Sequence, residues 1–194
     1  MIGRAIDELA VGDAAEISRV VSEGDIGEFV DAVGDHNPVH SDPVFAAATP
    51  FRSPIAPGLW TAGLVSAVIG TRLPGPGSIY VTQDLQFLRP VRAGDIITAR
   101  VEVLEVVRKQ NRIRLKTVCV NQRGEEVLTG KAWVLPPKSR VVYAEDQNGL
   151  GRLTFWALQP WAWAAQALSM WGVLGLSALA ASRPRLIRHK PSIE

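Results

Sequence analysis

Cysteine is nearly missing from this 194-residue chain: Cys119 is the only one. A single thiol excludes an internal disulfide and any multi-cysteine zinc site. Its place in the alternating apolar run RIRLKTVCV reads as a buried thiol rather than a nucleophile. Net charge is also scarce. The 21 Lys and Arg against 19 Asp and Glu leave +2, no field that argues for nucleic acid. The opening MIGRAIDELAVGD carries acids and no apolar stretch, so no secretory signal is expected and a reducing, cytoplasmic home is the default. Hydrophobic residues, by contrast, make up 47% of the chain and charged ones 21%, enough for one packed domain with length left over.

The apolar pattern divides the chain. AEISRVVS, from Ala15 to Ser22, alternates as a first strand, and Ile26, Phe29, Val30 and Val33 then fall on one helix face. Ser22 or Asp25 suits that helix's start and Gly34 its end. PVFAAAT, from Pro43, reads as a short helix with proline in its first turn. From Leu59 to Thr71 nearly every residue is apolar or small, which predicts a helix without a solvent face, wrapped by a sheet. Four alternating segments follow. SIYVTQDLQFLRP puts Ile79, Val81, Leu85 and Phe87 on one face, with Gln83 on the same parity, free to bond a loop or to mark a strand end. DIITARVEVLEVV turns Ile97, Ala99, Val101 and Val103 inward. RIRLKTVCV turns Ile113, Leu115, Thr117 and Cys119 inward, and EVLTGKAWVL carries a weakening Gly130 that suggests a bulge. RKQN and NQRGE suit hairpin links, and short connections predict antiparallel neighbours. The expected fold is α+β: one hotdog, a curled antiparallel sheet around a long central helix, spanning residues 1–137.

Between the first two helices lies VGDHNPVHSDP. Asp, Asn and Pro build turns for conformational reasons alone, so a plain polar turn is one reading. A metal site is a second, with His36 and His40 four apart and Asp35 and Asp42 beside them. Pro38 disfavours the helix that would aim both imidazoles one way, and no further nitrogen or sulfur ligand is near, so no metal is expected. Acid–base chemistry is the third. The Asp35 carboxylate and His40 imidazole, joined across Asn37-Pro38, can hold one water between them. Gly58, after Pro57 at the start of the buried helix, offers a backbone N–H at the positive end of the dipole, suited to a thioester oxyanion. His36 and His189 read as solvated. Arg100, Arg112, Arg114 and Lys116 read as a solvated sheet face, with a meeting at the rim with coenzyme A phosphates as the alternative.

FVDAVGDHNPVHSDPVFA, PIAPGLWTAGLVSAVIG, GSIYVTQDLQFLRPVRAGD and GKAWVLP, in that order, resemble the MaoC-like (R)-specific enoyl-CoA hydratases. The family's G-D-x-N-P-x-H pattern is matched at Gly34, Asp35, Asn37, Pro38 and His40, and the likeness covers about residues 10–137. The resemblance implies a hotdog homodimer that binds an acyl-CoA thioester near the subunit interface and needs no cofactor. Asp35 and His40 would activate water for syn addition to a trans-2-enoyl-CoA, with Gly58 as the oxyanion donor. It further implies a supporting role for Ser66 and a loop-holding role for Asn37. Two positions depart from it: Pro57 stands where His is common, and Val33 where a small hydroxyl residue is usual. A dehydratase acting on acyl-carrier-protein thioesters, a hotdog thioesterase and a non-catalytic acyl-CoA-binding module remain rival readings.

Beyond a polar linker at 138–152, residues 153–194 differ in kind. No charge occurs from Leu153 to Ser182, four of the six tryptophans lie there (Trp156, Trp161, Trp163 and Trp171), and RPRLIRHKPSIE closes the chain. A hydrophobic helical extension is expected. Its length from about Trp161 to Ala181 fits a membrane span, though one crossing cannot leave both the enzyme domain and the basic end in the cytoplasm. A surface-lying arrangement on a membrane or lipid granule, or packing on protein, are the other readings.

Overall fold

In the computed structural model residues 1–144 are described; the expected extension over 153–182 lies outside them. The chain runs β1 (Ile2–Gly3), β2 (Ala14–Val20), α1 (Glu23–Val33), α2 (Pro43–Ala47), α3 (Gly58–Thr71), β3 (Ile79–Phe87), β4 (Ile96–Val107), β5 (Arg112–Val120), β6 (Glu126–Leu135) and β7 (Val141–Val142). The main sheet has five antiparallel strands in the order β2-β4-β5-β6-β3, and α3 packs across β2, β4 and β5. This is the hotdog arrangement that the sequence predicts. No helix among the described residues is long and apolar enough to cross a membrane.

Side chains stack in tiers because directly paired residues share a sheet face. One tier is Ala99, Cys119, Leu128 and Phe87, and the next is Val101, Thr117, Gly130 and Leu85. Trp60, Leu64, Val65, Val68 and Ile69 of α3 are buried over them. Each fully buried Leu, Ile or Val contributes about 1.5–3 kcal/mol of transfer free energy, so this contact outweighs any local propensity.

Several expectations need correction. β3 pairs with β6 at the far edge of the sheet, not with its sequence neighbour β4. The link between β3 and β4 is no hairpin: Val91 accepts from the Ala56 N–H, and Arg92 ties back to Ser53 and Phe51, so this link is held at the start of α3. Register slips at Val81 on β3, so Tyr80, opposite the buried Val134, takes the inward place expected of Ile79 and Val81. The bulges of β4 and β6 fall at Leu104 and Val127. Gly130 lies in unbroken register instead, and a Cβ there would sit 1.9 Å from the Asp84 carbonyl oxygen. Gln83 does not reach the loop; its amide donates to Thr117 Oγ1 and to the carbonyls of Asp84 and Lys131. Nor is α3 wrapped all round. Leu59 is 63% exposed, and Gly63, Ser66 and Gly70 share its uncovered stripe. Within the span read as linker, β7 pairs with β1 as a small second sheet.

Cys119 is fully buried, its Sγ 3.8 Å from the Thr61 carbonyl, and burial pushes its thiol up to about 12. The thiol is therefore neutral throughout the physiological range, and only approach to that value exposes thiolate. In the folded full chain at pH 8, a disulfide-exchange reagent should label almost none of the protein, and in denaturant about one thiol per chain. Fast labelling of the native protein contradicts this packing.

Candidate active site

The loop after α1 is assembled from local rules. Ser22 and Asp25 form a capping box at the start of α1, and Gly34 ends the helix in the left-handed region at φ 75°. The N–H groups of Gly34 and Asp35 both return to the Val30 carbonyl, which fixes the exit of the chain. Asn37 then accepts from the Val39 N–H at 3.3 Å and caps a single 3-10 turn over Pro38–His40, with proline at its first position. Val39 is the buried anchor of that turn. Asp42 is a cap too, accepting from Val44 and Phe45 at the start of α2. The loop-holding role expected of Asn37 thus has a geometry.

This turn brings Asp35 and His40 together. His40 Nε2 lies 3.5 Å from Asp35 Oδ2, with the imidazole side chain 9% exposed and the carboxylate 48% exposed. On the other side of the ring, Nδ1 is 2.8 Å from the Ile55 carbonyl oxygen. A carbonyl oxygen only accepts, so Nδ1 carries the hydrogen, and in the neutral ring Nε2 presents its lone pair toward the carboxylate. Two acceptors thus face each other at a span that one water, donating to both, can bridge. Ile55 is a residue that the sequence reading missed. Its signal lay in SPIAPG, where two prolines hold the backbone extended and leave carbonyls without ladder partners.

Three residues after Ile55 comes Gly58, the first residue of α3. Pro57 at the N-cap supplies no side-chain cap, and although its carbonyl accepts from the Trp60 N–H, the Gly58 and Leu59 amides keep their donor capacity. Ile55, Gly58, Phe51, Thr61, Phe87 and Val127 line one cleft of about 400 Å³. The helix's positive end therefore meets an apolar hollow, the environment in which an amide best stabilises developing negative charge; His40 and Asp35 are not among its lining residues, and the pair is linked to it through the Ile55 carbonyl. Glycine is required here by packing: a Cβ would stand 2.8 Å from Cε1 of the Phe87 ring.

The other candidates lie apart. Ser66 is exposed on the uncovered stripe of α3, about 12 Å of helix rise beyond Gly58, and makes no hydrogen bond among the described residues. His36 is exposed. Arg112 and Arg114 stand 4.5 and 5.7 Å from the Trp133 ring centroid, and Arg100 pairs with Glu16. All three alternate with core-facing residues, so they lie on the outer face of the sheet, away from the cleft.

With this geometry in place, the comparisons with known proteins are specific. The profile of the MaoC like domain matches residues 11–126. The chain belongs to the MaoC-like dehydratase domain family. A 3-hydroxybutyryl-CoA dehydratase of Methylorubrum extorquens is 47% identical over 132 residues, covering 68% of this chain and 83% of that protein. An (R)-specific enoyl-CoA hydratase of Rhodospirillum rubrum is 41% identical over 131 residues, covering 68% of this chain and 90% of that protein. Among solved structures, the unliganded R-hydratase of Pseudomonas aeruginosa superposes with a TM-score of 0.69 at 42% identity, over 74% of this chain and 94% of that one. For this MaoC-like chain the Phe87 contact gives a test of the helix start. Gly58→Ala should reduce turnover by about tenfold or more, and Phe87→Leu in the same chain, by freeing the space, should recover part of the loss. Full activity in Gly58→Ala contradicts the packing described.

Proposed function

We propose that this hydro-lyase adds water in syn fashion across the double bond of a trans-2-enoyl-CoA to give the (R)-3-hydroxyacyl-CoA. The observation that carries the reading is the His40 ring, locked through Nδ1 on Ile55 with Nε2 turned to Asp35 at 3.5 Å. A water held by both acceptors gives one proton to Nε2 as its oxygen bonds to C3. The double-bond electrons move toward the thioester carbonyl, where the Gly58 N–H holds the developing enolate oxygen. His40 then returns its proton to C2 from the same face, and Asp35 stays ionised throughout. Atoms balance without a metal or an organic cofactor, and the reverse sequence is the dehydration named for the Methylorubrum relative. The names of the two hydratase relatives support the R configuration.

A homodimer completes the proposal. β3 is an edge strand with exposed Ile79, Val81 and Phe87, followed by exposed Leu88, and an unpaired apolar edge of this kind invites a second copy. A cytoplasmic site of action accords with the acyl-CoA substrate, and the uncharged run 153–182 supports contact with a membrane or lipid-granule surface.

Crotonyl-CoA is the discriminating substrate. Loss of enoyl absorbance without free thiol supports hydration, whereas release of thiol would identify a thioesterase. Asp35→Asn and His40→Ala should each lower kcat by about two orders of magnitude or more while the protein stays folded. Near-wild-type turnover in either variant rejects the assignment.

A further inference from the structure

The rim of the cleft carries arginines that form no ion pair among the described residues. Arg89 lines the cleft. Arg52 stands in the turn beside Phe51, another lining residue, at φ 65°, a left-handed conformation that few non-glycine residues adopt. Arg92, on the link between β3 and β4, donates to Ser53 Oγ at 2.8 Å and to the Phe51 carbonyl at 2.9 Å, which joins that turn to the link. None of these three arginines takes part in the ion pairs among the described residues, although seven other arginines do. The nearby acids have other partners. Asp95 accepts from Gln122 and from the Arg92 backbone N–H. Hydrogen bonds from Asn121 and Arg123, with the field of Arg123 and Arg89 added, hold the Glu125 carboxyl below its usual range. Arg89 itself makes one hydrogen bond, to the Glu126 carbonyl, which steadies the guanidinium and leaves most of its five donors for a ligand.

Cations without ion-pair partners at the mouth of an apolar cleft, Arg89 and Arg92 of them steadied by backbone carbonyls, form an anion-binding arrangement. The spacing agrees. Phe87 touches Gly58, and two further residues carry the backbone no more than about 7 Å to Arg89, to which the side chain adds its own length. A thioester lying on the Gly58 amide therefore directs its carrier toward this rim. We propose that Arg89 and Arg52 grip the phosphate-bearing end of the thioester carrier, with Arg92 pinning the two segments that present them. The proposal rests on the reading of the protein as a thioester hydratase and adds to it the site that selects the carrier.

The test compares crotonyl thioesters of coenzyme A, 4′-phosphopantetheine, pantetheine and holo-acyl carrier protein in the full chain. The wild type should show kcat/KM at least about tenfold higher for coenzyme A than for pantetheine, expressed mainly in KM. Arg89→Ala should collapse that ratio toward one, as loss of a charge-assisted contact requires. Arg52→Asn, which keeps a residue tolerant of positive φ, should lower the ratio as well, so the proposal does not hang on one variant's folding. Phosphopantetheine or carrier-protein substrates that share the preference identify the single phosphate as the ligand; a preference confined to coenzyme A identifies the nucleotide phosphates. Either result supports the site. A wild type that uses pantetheine as well as coenzyme A, or a ratio that survives in both variants, overturns it. If no thioester is hydrated the hydratase reading fails, and calorimetry still decides the site: free coenzyme A should bind about tenfold more weakly to Arg89→Ala than to wild type, and equal affinity refutes it.

Discussion

The hydrogen bond from His40 Nδ1 to the Ile55 carbonyl holds the candidate site together. It joins two segments that would otherwise be independent loops: the turn after α1, which carries the acid and the imidazole, and the proline-bounded strip that leads into α3. The Ile55 N–H returns the contact by donating to the Val39 carbonyl. The bond sets three things at once. It fixes the tautomer, aims Nε2 at Asp35, and ties the pair to the strip that leads into the central helix. A side chain with 9% exposure gives water little opportunity to compete for that bond.

The rest of the fold serves this arrangement. The sheet cradles α3 through tiers of buried side chains, so the helix start is as rigid as the core beneath it. Phe87, on the edge strand, packs on Gly58 and forms one wall of the cleft. The absence of a side chain at Gly58 lets the ring approach, and a proline cap leaves the helix's positive end open. Pro57 thus has a local explanation even though the family resemblance places histidine there. It ends the extended strip and leaves the Gly58 and Leu59 amides without an acceptor among the described residues.

Much of this was legible in the sequence because it depends on short-range rules. Alternation gave β4 and β5 their inward sets, and capping residues bounded α1 within a residue or two. The loop after α1 was readable because Gly34, Asn37 and Pro38 each require one backbone state, and those states together bend the chain. What escaped depends on distant partners. The β3–β6 pairing joins segments more than forty residues apart, and no local pattern distinguishes it from a hairpin with β4. The slip at Val81 moved Tyr80 inward because a bulge adds one residue to the count. Ile55 escaped for a related reason: its contribution is a backbone carbonyl, which every residue has, and only the fold shows which one faces an imidazole. The exposed stripe of α3 was missed because apolar composition alone does not say which face finds a cover.

The central claim is that Ile55 fixes His40 in the tautomer that turns a basic nitrogen toward Asp35. Nitrogen-15 NMR of the histidine side chains in the full chain, with His40 assigned by comparison with His40→Ala, reads this directly. The account predicts that the neutral form of the His40 ring carries its hydrogen on Nδ1 and has an acceptor-type Nε2. A His40 ring whose hydrogen resides on Nε2, or one that averages rapidly between the two tautomers, would contradict it.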